Sequence, residues 1–176
     1  MLYSRLRATS MNNFSSVYSG LFGSIEQSAF GEAVRTLPYL YPVLMSIHVL
    51  GIAMLVGPII AVDLRILGIA KDSISISQTL RHLLPISRLG FVIVAITGVI
   101  MFTAIASIIS NSSATPWKFG LIVLALVNVI VFHKGIYRKN KAWDIHHSPP
   151  MLAKISALIS MVSWIGAIFG GRFLAY

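Results

Sequence analysis

Four long apolar stretches, separated by short polar connections, organise this chain. They cover about residues 39–62, 86–109, 117–136 and 153–171. A hydrocarbon core of ~30 Å needs ~20 helical residues. The last two stretches are short by strict hydropathy, and reach that length when Lys134, Lys154 and Arg172 extend their charges to the interface. The pattern predicts an all-α membrane protein, a four-transmembrane-helix bundle.

Residues 14–36 are too polar to span. Phe14, Val17, Tyr18, Leu21, Phe22, Ile25 and Phe30 recur at roughly helical spacing, with Glu26, Gln27 and Glu32 elsewhere. This predicts one amphipathic interfacial helix on the outer face, after a flexible tail over residues 1–13 and before Pro38 and Pro42 at the entry to the first span. The remainder, 37–176, is the transmembrane domain. No continuous apolar core follows Arg5 and Arg7, so no signal peptide is read.

Small residues mark packing faces. Ser156, Ser160, Ser163, Ala167 and Gly170 alternate steps of four and three along the fourth segment, and Gly166 with Gly170 adds a GxxxG pair. Ala53, Gly57 and Ala61 form a second row, in the first segment. Both rows predict close helix contacts. Trp117 and Trp164 fit either an interfacial belt or packing.

Composition agrees with the pattern. Only 11% of the 176 residues are charged, against about a quarter in soluble domains, and mean hydropathy is +0.83. The formal charge of +9 arises between the apolar runs, so it does not point to nucleic acid. Arg65, Lys71, Arg81 and Arg88 lie between segments one and two; Lys134, Arg138, Lys139, Lys141 and Lys154 lie between three and four. The connection from Ser110 to Pro116 carries no charge. This asymmetry predicts basic loops in the cytoplasm and both termini outside. The chain has no cysteine, which removes thiolate metal sites, iron–sulfur clusters and cysteine nucleophiles.

Intramembrane polar groups are the pointers to chemistry, because each costs free energy to bury. His48, mid-segment, reads as an axial haem ligand, a copper ligand, or a histidine bonded to another helix; Gly51 one turn on would let a flat group approach. Met45 could join it around copper, or simply pack. His133 ends the third segment and reads as ligand or interfacial residue. The depths of His48 and His133 differ by roughly 10–12 Å at 1.5 Å per residue, too far for two ligands of one haem. His82 matches His133 better in depth. Arg88 and Arg81, at the entrance to the second span, could hold haem propionates or serve only as topology charges. Asp63 calls for a cation from another helix, Arg88 or Lys134 rather than Arg65, as a structural clamp. Asn128 is expected to bond across helices. His146 and His147 read as solvated loop. Nucleotide, hydrolase and metalloprotease signatures are absent.

The runs Leu40-Tyr41-Pro42, Ile47-His48-Val49-Leu50-Gly51 and Val62-Asp63-Leu64-Arg65-Ile66-Leu67-Gly68 resemble an uncharacterised family of small bacterial four-helix membrane proteins. Leu83-Leu84-Pro85, Asn128 through His133 and the ending from Gly171 to Tyr176 are similar too. The resemblance implies a fold and a location in a bacterial inner membrane, where the outer side is the periplasm, so both N- and C-termini would be periplasmic; it gives no catalytic residues. A looser likeness, to membrane b-type cytochromes and copper-resistance membrane domains, is fold-level analogy. The leading expectation is a haem b-binding electron-transfer protein that serves a quinone or a partner. The alternatives are a non-catalytic accessory subunit of a larger membrane complex and a copper-handling protein.

Overall fold

The computed structural model describes residues 20–69, 75–137 and 149–173. The expected tail, the first turns of the amphipathic segment, Lys71, Arg138, Lys139, Lys141, His146, His147 and Tyr176 lie outside the described residues. Helical residues 20–26 (α1) are followed by α2 (Ala29–Thr36), α3 (Leu40–Leu67), α4 (Ile76–Ala104), α5 (Ala106–Asn111), α6 (Ala114–Val131) and α7 (Met151–Phe173). A π-helical turn, Phe132–Tyr137, continues α6. Among the described residues, four helices are long and apolar enough to cross a membrane, with α6 and its extension counted as Ala114–Gly135. The protein is an all-α membrane bundle, and its apolar outer faces contact the lipid bilayer.

Local chemistry sets the helix ends, and several differ from the hydropathy pattern. The amphipathic segment is two helices rather than one. Ser28 breaks it, because its hydroxyl oxygen accepts from the Gly31 amide at 3.1 Å and so starts α2 afresh. Pro38 disfavours a helical Leu37, which takes φ −64° and ψ 127° and ends α2. Pro42 sits in the first turn of α3, where no intrahelical partner for its missing N–H is needed. α3 continues through Asp63 and Arg65 until Gly68 adopts φ 105°, the left-handed C-terminal cap. α4 begins at Ile76, well before the expected residue 86, because Ser75 caps it.

Four spans pack in the order α4–α3–α7–α6. α3 and α4 run antiparallel, pairing His48 with Thr97 and Leu55 with Ser87. α6 and α7 pair Asn128 with Ser156 and Lys118 with Gly170. Both basic connections therefore leave from one end of the bundle.

Close approach of backbones holds α3 to α4. A Cβ on Gly90 would stand 2.5 Å from the Leu55 nitrogen, and one on Gly51 2.8 Å from an Ile93 methyl. Along α7, Ser156, Ser160, Ser163 and Ala167 are buried, and Gly166 and Gly170 meet Leu121 and Lys118 of α6. The row Ala53, Gly57 and Ala61 behaves otherwise. All three are exposed, and Gly57 meets nothing within 4 Å. Smallness alone does not say which face of a helix is packed. At the opposite end, the Glu26 carboxylate accepts from the Ser107 amide at 2.8 Å and from the Ser107 hydroxyl. It thereby caps α5, whose own N-cap residue, Ile105, offers no side-chain bond. Phe22 packs edge-on against Phe102, and Gly31 sits against the Thr103 carbonyl.

Gly90→Ala should lower stability by about 1–3 kcal/mol, because backbone cannot retreat from the added methyl. Gly57→Ala should be neutral or gain up to ~1 kcal/mol of helix propensity. Thermal unfolding in detergent compares the two. The Ser107 hydroxyl and amide, with Arg35 adding less, hold the Glu26 carboxyl below its usual range. A carboxylate with a depressed folded pKa stabilises above its unfolded value and loses this as pH falls through the folded one. Hydrogen-exchange protection in α1 and α2, taken relative to the intrinsic rate at each pH, should therefore fall on acidification below the ordinary carboxylate range. Glu26→Gln should remove that pH dependence.

Candidate functional site

One cleft of about 510 Å³ lies among the four spans. α3 and α7 form its far wall; α4 and α6 flank it without meeting. On α3 it runs from Leu55 to Ile66, about 16 Å at the α-helical rise. Its surface is mostly Leu, Ile, Val and Phe. Into it come Asp63 from α3, Ser87 and Arg88 from α4, Asn128 and His133 from the α6 side, and Ser156, Ser160 and Trp164 from α7.

These polar groups divide by whether they are satisfied. Asn128 donates to the Ser156 carbonyl and accepts from the Ser156 hydroxyl, both at 2.9 Å, tying α6 to α7. Ser87 donates to the Leu55 carbonyl at 3.2 Å and ties α4 to α3. Three lining atoms have no partner: Asp63 Oδ2, His133 Nε2 and Trp164 Nε1. Ser160 is the hydrogen-bond partner of the Asp63 carboxyl group. The expected cation is not there; no described residue makes an ion pair with Asp63, although Arg88 lines the same cleft. Arg88 stands twelve residues inside α4 rather than at its entrance, because the capped helix starts early.

His133 is oriented through one nitrogen. Its Nδ1 lies 3.0 Å from the Val129 carbonyl, an acceptor only, so Nδ1 donates, and a neutral ring has its lone pair on Nε2. The backbone around it is π-helical, a form that occurs mostly as single turns and frequently at functional sites. An imidazole fixed through one nitrogen and open at the other is prepared to accept a hydrogen bond or bind a metal.

The other candidates lie elsewhere. His48 is outside the cleft and points to α4, with Nδ1 2.7 Å from Thr97 Oγ1. Thr97 gives its hydroxyl proton to the Ile93 carbonyl at 2.6 Å, so His48 donates. The space expected beside Gly51 is filled by Ile93 and Val94. Met45 is exposed on the lipid side. Phe132 packs with Ile66, eighteen residues beyond His48 along α3. That is roughly 27 Å of helix, where two axial ligands of one iron are separated by only ~4 Å. His48 and His133 do not share an iron. His82 is exposed, bonds the Gln78 carbonyl at 2.8 Å and does not line the cleft. Among the described residues, no three His, Asp or Glu side chains gather around a common point. Arg65 is buried but outside the cleft.

Sequence reasoning treated Ser156 and Ser160 as a packing stripe and Trp164 as belt or core. The usable signal was hydroxyls four residues apart beside an indole, on a helix otherwise apolar. Trp117, by contrast, is 72% exposed.

The family whose description reads "Family of unknown function (DUF6644)" matches residues 21–176. No curated protein and no solved structure matches the chain. Replacing Asn128 with Leu should cost about 1 kcal/mol, the usual scale for an interhelical hydrogen bond in a bilayer. Ser156→Ala should cost less, since the Ser156 carbonyl still accepts. Unfolding of both variants in detergent measures the order.

Proposed function

The chain belongs to a family of unknown function, DUF6644, and from the chemistry of its own cleft we propose that it is a membrane redox protein that holds haem b. The observation behind this reading is His133, which lines an apolar cleft and whose Nε2 is buried without a partner. A haem iron needs a neutral imidazole, oriented by a bond from its other nitrogen, and the Val129 carbonyl supplies that bond. Arg88 faces the same cleft, and guanidinium pairs well with the carboxylates of haem propionates. The volume falls within the ~300–1,000 Å³ usual for cofactor sites. The leucine, valine and phenylalanine lining suits a tetrapyrrole body.

When bound, haem supplies one-electron chemistry; the chain holds it, excludes water and sets the polarity around it. In this reading His133 would hold the iron, and His48 and His82 lie outside the cleft. The partner for that chemistry would be a quinone in the bilayer or a larger membrane complex. In this reading the basic connections face the cytoplasm of a bacterial inner membrane and both chain ends face the periplasm, which the excess of Lys and Arg in those connections supports.

The purified protein, made in haem-replete cells, should show a Soret band and close to one iron per chain. His133→Ala should abolish the band, His48→Ala should keep it, and Arg88→Gln should release haem more readily. A protein with neither a Soret band nor iron is not a haem protein.

A further inference from the structure

The two helices beside the cleft never meet. α4 packs on α3, α6 packs on α7, and no backbone contact joins α4 to α6. Both are spans, so a gap that runs along them faces acyl chains rather than water. Its borders carry apolar side chains: Phe91 and Val92 on α4 are 40% and 50% exposed, and the half-buried Leu126 and Val129 line it from α6. Arg88 is exposed one turn from Val92, and no described residue makes an ion pair with it.

The far wall shows what the gap leads to. Asp63 is 6% exposed and Trp164 5% exposed, yet each has a polar atom without a partner, and both line the cleft. A buried polar atom left unpaired costs free energy that a bound ligand can relieve. The rim offers a positive charge, the passage is apolar, and the floor offers an indole N–H and a carboxyl group.

We propose that the gap between α4 and α6 is a lateral port through which a lipid-borne amphiphile enters from the bilayer. The ligand has an apolar body and an anionic group. Arg88 takes the anionic group at the rim, and Trp164 and Asp63 meet polar atoms inside. Haem b has this chemistry, so the port rests on and deepens the reading above, but its test does not need haem.

Trp117→Phe with Trp143→Phe leaves Trp164 as the only tryptophan of three. In phosphatidylcholine vesicles with brominated acyl chains, Trp164 fluorescence should be quenched, while aqueous iodide should leave it unchanged. The chain has no native cysteine. A bulky maleimide on Val92→Cys, at the rim, should therefore at least halve the lipid quenching. The same label on Ile159→Cys, an exposed position of α7 that does not line the cleft, should not. Brominated stearic acid should quench at a several-fold lower mole fraction than its methyl ester, and Arg88→Gln should remove that preference. Quenching that is absent, or equal with either label, overturns the port. Acid and ester quenching alike in the native background overturns the role of Arg88. The haem reading stands or falls separately, on the absorption spectrum.

Discussion

The contact on which the arrangement depends is between two backbones. At Gly90 the main chains of α3 and α4 come so close that a single added carbon would collide with the Leu55 nitrogen. In lipid, apolar side chains gain nothing by leaving one hydrocarbon for another, so helices associate by close dispersion contact and interhelical hydrogen bonds. Gly51 and Gly90 allow the first, and Ser87 on Leu55 supplies the second. α4 is thereby committed to α3, as α6 is to α7 through Asn128 and Ser156. Two tight pairs joined through α3 and α7 leave their outer members apart, and the cleft is the space between them.

Polar atoms in this bundle fall into two groups with different consequences. His48 with Thr97, Ser87 with Leu55, and Asn128 with Ser156 satisfy one another and hold helices together. Asp63 Oδ2, His133 Nε2 and Trp164 Nε1 do not, and the three residues line one cleft, whereas the unpartnered Ser163 hydroxyl lies outside it. Burial of a satisfied pair needs no functional explanation; convergence of unsatisfied atoms in an apolar space does. His48, whose depth in the first span made it the most attractive histidine, lies outside that cleft and bonds Thr97 of α4. Glu26 belongs to the first group at the other end of the molecule, where it ties the N-terminal helices to α5.

The number of spans, their approximate places and the shared end of the basic connections were legible in the sequence. Hydropathy sums a transfer free energy residue by residue, and that sum does not depend on neighbours. The buried stripe of α7 was legible for a related reason, since small residues every three or four positions lie on one face whatever packs there. Helix pitch also separated His48 from His133 in depth, in the direction the structure shows, though it underestimated the distance. Rotation about each helix axis and the order of the helices were decided only by tertiary packing. Nothing local distinguishes the lipid-facing row of Gly57 from the packed glycines at 51 and 90. Nor does anything local say that His133 faces a cavity while His82 faces outward, or that Arg88 borders an opening. Those facts depend on which backbones can touch, a property of pairs of helices that no single segment contains.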